Sequence, residues 1–265
     1  MEFMNNRTRC RSAAAVPLSL LMILLLAAAS LIGCGKDGTD RGELILLCGS
    51  SFVRPMERLT AEFEAETGIK VVPTVAGSEN FLPLVEAGNR GDLLLTHDPY
   101  LAFVADAGKL AGHVRAGYLA PVLAVRKGNP KGVREIADLA RPGLAVALSN
   151  PEYSTCGEMV AALLEKKGLK SGVMTNVDTR LTKGHAELGL FLKTGTVDAV
   201  IMWNGVARSF REAVDVVPTP YEYDDEIGVH IIGLSYSSHP SLVIRFLDFS
   251  ARRAPAIFSD EGYVK

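Results

Sequence analysis

Leu44-Ile45-Leu46-Leu47-Cys48-Gly49-Ser50-Ser51 decides the reading of this chain. A near-continuous apolar run of this length suits a strand buried on both faces. The small residues Gly49, Ser50 and Ser51 break it, and Phe52, Met56, Leu59 and Phe63 then recur at helical spacing until Gly68 caps the helix. Strand, small polar turn and helix repeat downstream. Val71 to Val75 runs into Ala76-Gly77-Ser78-Glu79-Asn80 and a short helix with Pro83 in its first turn. Leu93 to Leu95 runs into Thr96-His97-Asp98. Such alternation predicts α/β layers around a mainly parallel sheet.

A second unit of the same kind starts after Tyr118. Leu119 to Val125 reads as an extended crossing, and Lys127-Gly128-Asn129-Pro130 as a turn. A strand at Leu144 to Leu148 leads through Asn150 to Gly157 into a helix through Met159, Leu163 and Leu164. A helix from about His185 to Lys193 precedes the strand Val197 to Met202. Val216 to Tyr223 and Ile227 to Leu234 read as the return crossing, and Ser241 to Ala251 as a last helix of the first unit. The expected organisation is therefore lobe I at 43–120 plus 228–265 and lobe II at 121–227. Two crossings make a hinge, and a cleft between such lobes is a preferred ligand site. Loops at the carboxyl ends of the strands should face it.

Outward from this core, residues 1–33 read as a secretion signal. Arg7, Arg9 and Arg11 precede the apolar Val16 to Ala29, and the segment closes with Leu31-Ile32-Gly33-Cys34. That ending resembles the bacterial lipobox, which implies a lipid on Cys34, a flexible tether over 34–42 and attachment to the cell membrane facing the periplasm or exterior. Removing residues 1–33 takes away three arginines and one glutamate and leaves a net charge of about −4. Nothing in this balance suits nucleic acid. Cys48 and Cys156 remain, each beside a glycine; a disulfide between them is possible in an exported protein.

Four loops carry the chemistry: Cys48 to Ser51, Gly77 to Asn80, Ser154 to Gly157 and Thr182 to His185. Each puts small polar residues where a helix begins. Helix N-termini offer unpaired N–H groups and partial positive charge, and serine hydroxyls add donors. Converging, such loops hold an oxyanion without Lys or Arg. Taken singly, a serine before a helix is first of all a cap.

From Leu44 to Tyr263 the chain resembles the molybdate-binding proteins of ABC importers, which are type II periplasmic binding proteins. The resemblance rests on Cys48-Gly49-Ser50-Ser51, Val75-Ala76-Gly77-Ser78, Val85-Glu86-Ala87-Gly88, Gly91 to Leu95, Asn150-Pro151-Glu152, Ala256-Ile257-Phe258 and Gly262-Tyr263. It implies a two-lobed α/β fold with a two-crossing hinge. It also implies a monomer that captures a small inorganic anion, molybdate or tungstate, for a permease and its ATPase, with no cofactor and no catalysis. The family's two serines fall on Ser51 and Ser78, with Ser50 beside the first. Its backbone donors fall on Cys156 and His185, and its tyrosine falls on Trp203, a departure that either reshapes the pocket or leaves the neighbouring Asn204 to substitute. Cys48, His97, Cys156 and His185 depart from the family's small or aliphatic residues. They leave open an alternative, capture of a soft metal or thiophilic species. An enzyme with Cys156 as nucleophile and His97 or His185 as base is a third reading, although no nucleophile elbow is present.

Overall fold

The computed structural model describes residues 42–264. The expected signal, Cys34 and all of the tether but Gly42 lie outside the described residues.

In chain order β1 (Glu43–Gly49) leads into α1 (Val53–Thr67), β2 (Lys70–Ala76) into α2 (Leu82–Ala87), and β3 (Leu93–His97) into α3 (Tyr100–Asp106). β4 (Leu110–Leu119) and β5 (Pro121–Arg126) follow. β6 (Val146–Ser149) leads into α4 (Thr155–Lys166) and α5 (Lys170–Val177), β7 (Leu181–Thr182) into α6 (His185–Thr194), and β8 (Ala199–Trp203) into α7 (Asn204–Ser209). β9 (Val214–Val216), β10 (Ile227–Leu234) and α8 (Pro240–Asp260) complete the order.

Two five-stranded sheets result, ordered β2-β1-β3-β10-β4 and β7-β6-β8-β5-β9. Each is the base of one lobe of a type II periplasmic binding protein fold. The chain passes from the first to the second between β4 and β5 and returns between β9 and β10. The sheets are mixed rather than mainly parallel. β1, β2 and β3 run parallel, and so do β6, β7 and β8. The strands that enter from the other lobe are reversed: β10 is antiparallel to β3 and β4, and β5 is antiparallel to β8 and β9. Ile227–Leu234, expected as part of a crossing, is a fully buried strand inside the first sheet.

Burial explains all of the apolar run that began the reading except Ile45, which is 41% exposed. Leu44, Leu46 and Cys48 pack into the main core with α1 and α8, whereas Leu47 points to the opposite face and joins Phe81, Val85 and Leu94. Alternate residues of a strand face opposite sides, so a sheet covered on both needs apolar residues at successive positions. α8 continues to Asp260, beyond the expected Ala251 and through Pro255, because Ile257 and Phe258 remain buried on its inner face. Phe246 and Phe249 meet Phe63 of α1 at ring distances of 4.9 and 5.3 Å.

Candidate ligand site

All six parallel strands end on one small space. β1, β2 and β3 deliver Ser50 and Ser51, Gly77 to Glu79, and His97 with Tyr100. From the second sheet, β6, β7 and β8 deliver Tyr153 to Thr155, Lys183 to His185, and Trp203. The cavity they line is about 40 Å³, room for a small inorganic ion or a few waters, given about 10–15 Å³ for one water on the same measure. Ser50, Ser51, Ser78, His185 and Trp203 thus come together from distant parts of the sequence.

On the first wall the serines are not caps. Gly49 and Gly77 precede the short helical turns Ser50–Phe52 and Ser78–Phe81, and no side chain caps either turn. Gly49 is there for space: a Cβ on it would stand 2.6 Å from Ser78 Oγ and 3.0 Å from the Phe52 ring. Its absence lets the second loop lie against the first. Tyr263, buried near the C-terminus, donates its hydroxyl hydrogen to the Ser51 carbonyl. Across the hinge the same ring faces Gly205, where a Cβ would collide with it.

The second wall is wired internally. Ser154 caps α4, its hydroxyl accepting from Gly157 N–H at 3.3 Å, and it also lies 3.3 Å from His185 Nε2. His185 Nδ1 is 3.5 Å from the Ser149 hydroxyl. Gly157 lets the helix approach this closely, since a Cβ there would stand 2.7 Å from the Ser149 carbonyl. Thr155 and Cys156 open α4, so their N–H groups lack a partner within the helix. Cys156 is fully buried with its thiol turned into the core and does not line the cavity; Thr155 is the residue at the start of α4 that does. Trp203 lies between the imidazoles, with ring centroids 5.5 Å from His185 and 5.9 Å from His97. Asn204 is occupied at the hinge, donating to the carbonyls of Tyr118 at 3.2 Å and Val264 at 2.7 Å, and so does not replace the family's tyrosine.

Charge at the cavity is sparse. Burial lowers His97 to about 4 and His185 to about 3, so both imidazoles are neutral near pH 7. Glu79 folds back over Gly77 and accepts from Asn80 at 3.2 Å. Lys183 stacks on Tyr153 with its Nζ 4.6 Å from the ring centre. Tyr100 and Thr155 line the cavity from opposite walls. Glu79, Tyr100, Tyr153 and Lys183 were not singled out from sequence. Glu79 and Lys183 lie inside loops already marked for ligand contact and Tyr153 stands immediately before one; Tyr100 carries no such signal.

The soft-metal arrangement is not assembled. Among the described residues no group of three or more His, Cys, Asp or Glu could hold a metal ion. Cys48 and Cys156 are free, and burial pushes the first up to about 12 and the second higher still. Thiols so held are protonated, which also removes Cys156 as a ready nucleophile. The two are unpaired, so the possible disulfide is not formed.

Known proteins place this geometry. The chain is 26% identical to the molybdate-binding protein ModA of Mycobacterium tuberculosis over 267 residues, covering 94% of this chain and 98% of that one. Among solved structures, the periplasmic molybdate-binding protein of Azotobacter vinelandii superposes with a TM-score of 0.69 at 16% identity, over 84% of this chain and 99% of that one. The sulfate-binding protein SubI of Mycobacterium tuberculosis superposes with a TM-score of 0.68 at 20% identity, over 83% and 86%. At these identities the structures establish the fold. The sequence model of one family spans residues 44–264, and the chain belongs to it: the bacterial extracellular solute-binding proteins.

Proposed function

We propose that this chain is the extracytoplasmic solute-binding lipoprotein of an ABC importer, capturing a tetrahedral oxyanion, molybdate or tungstate, between its lobes. One observation carries the reading: a cavity of about 40 Å³ that both lobes line with serine hydroxyls and helix starts. Ser51 and Ser78 offer hydroxyls from one side. The N–H groups opening α4 and the region of His185 and Trp203 offer donors from the other. The molybdate-binding relative and the molybdate- and sulfate-binding structural neighbours support the same ligand class. Neutral donors do not separate ions of equal charge, so selection between molybdate and sulfate falls to cavity size.

Ligand contact with both lobes stabilises the closed state relative to the open one, and a permease that reads the closed surface takes delivery. Lipid on Cys34 keeps the monomer at the membrane, and no cofactor is needed.

Melting curves of the purified chain with molybdate, tungstate, sulfate and phosphate test this. A ligand at a hundred times its dissociation constant stabilises by about 2.7 kcal/mol, which moves the melting temperature of a chain this size by several degrees. No shift with any tetrahedral oxyanion defeats the proposal.

A further inference from the structure

An oxyanion site is expected to present donors. His97 presents the opposite. Its ring lines the cavity, and its Nδ1 lies 2.7 Å from the Asp98 carbonyl. A carbonyl can only accept, so in the neutral ring the hydrogen sits on Nδ1 and Nε2 carries a lone pair. Among the described residues Nε2 has no hydrogen-bond partner; the ring's other neighbours are Tyr100 at 5.1 Å, Trp203 at 5.9 Å and Phe52 at 6.2 Å, centre to centre. His185 differs. Both its nitrogens face serine hydroxyls, which donate or accept as the ring requires. A lone pair set against a bound oxyanion is repulsive unless a proton lies between them.

We propose that this site binds its oxyanion together with one proton, held between a ligand oxygen and His97 Nε2. The inference rests on the oxyanion reading above. The proton has two sources. With a fully ionised dianion such as molybdate, one proton leaves the buffer and protonates Nε2, giving an imidazolium paired with the oxyanion. An ion that still bears an acidic hydrogen, such as hydrogen phosphate, donates its own O–H to the neutral ring.

The titratable and charged groups around His97 set the empty state. Asp98 on its own turn favours the imidazolium, His230 from β10 opposes it, and His185 faces it from α6. Tyr100 of α3, Glu79 and Lys183 share the cavity wall. Burial dominates and keeps the empty ring neutral above about pH 4. A dianion within hydrogen-bond distance reverses that balance.

The test is titration calorimetry on the full chain at pH 6, 7 and 8, each in two buffers of different ionisation heat. Molybdate should take up close to one proton per ion, and its affinity should weaken about tenfold for each pH unit gained. Hydrogen phosphate at pH 8 should bind with no uptake, which marks the ligand as the source. His97→Gln should abolish the uptake with molybdate. Should that variant not fold, the ¹⁵N shift of His97 Nε2 in the labelled wild type should move to the imidazolium range on adding molybdate. Molybdate binding with equal affinity at all three pH values and no buffer-dependent heat overturns the proton but leaves the oxyanion reading standing. No binding of either anion at any pH overturns both.

Discussion

The two walls of the cleft are built from the same motif, a parallel strand running into a helix start, yet they use serine differently. On the first wall Gly49 and Gly77 occupy the positions before the helical turns, and Ser51 and Ser78 are not used as caps. On the second, Ser154 is the cap and also reaches His185. The first wall therefore keeps hydroxyls available for a guest, while the second uses them to fix its own loops and offers the backbone of α4. Hydroxyl donors have to be ordered around a ligand; helix N–H groups are already ordered. Of the two, the second wall is the more preorganised.

The sharpest break in that comparison is removal of both free hydroxyls. A hydrogen bond to a charged partner contributes about 1.5–3 kcal/mol, so Ser51→Ala with Ser78→Ala should weaken molybdate binding by at least about a hundredfold, with melting of the empty protein nearly unchanged. Calorimetry and a melting curve check both halves. A double variant that still binds within tenfold of wild type would show that the first wall does not hold the ligand.

Acid should act next most strongly, and on imidazoles of both walls. The unfolded histidine value is 6.5, and burial lowers His97 to about 4 and His185 to about 3. Folded values below the unfolded one mean that the unfolded chain binds more protons between them. The stability from these neutral rings is thus complete above pH 6.5 and is lost as pH falls toward 4 and 3. At pH 5 the loss is about 2 kcal/mol per ring. Urea unfolding of the empty protein at pH 7 and pH 5 should show it, and His97→Gln with His185→Gln should flatten the difference. Ligand binding should run the other way, gaining from acid, because the bound state holds the extra proton.

How much of this was legible in sequence follows from where each signal lies. β1 and its loop were readable because burial on both faces forces an apolar run and the turn after it demands small residues. β4 was not. Leu110–Leu119 mixes Gly112, His113 and Arg115 among its apolar residues, and it becomes a strand through pairing with β10, which arrives from the far end of the chain. The serine loops were visible one by one; that Ser154 caps while Ser51 and Ser78 do not depends on helix geometry that composition does not encode. Cys156 looked like a cavity residue because it sits in the right loop, but the second residue of α4 turns its side chain into the core. His97 was visible as a candidate metal ligand or base at a strand end, but not as an acceptor facing an anion, since its acceptor nitrogen is set by the carbonyl of Asp98.

The internal wiring of the second wall makes a smaller prediction. Ser154→Ala removes a cap, about 1 kcal/mol, and a bond to His185, about 1 kcal/mol more. Stability should fall by about 2 kcal/mol in urea unfolding, and binding should fall because the N–H groups of α4 lose their fixed aim. Equal stability of the variant and wild type would remove the distinction between the walls.

Tyr263→Phe tests the smallest effect, the bond by which Tyr263 supports the first wall. The ring would stay against Phe52 and Phe258, at 5.7 and 5.3 Å, so only the bond to the Ser51 carbonyl is lost, about 0.5–1.5 kcal/mol. If that bond aims the Ser51 loop, affinity for molybdate should drop several-fold along with stability. If stability falls and affinity does not, Tyr263 is packing alone, and the first loop holds its shape through Gly49 and the close approach of Ser78. The two outcomes differ in the binding isotherm, because the aromatic contacts are the same in both proteins.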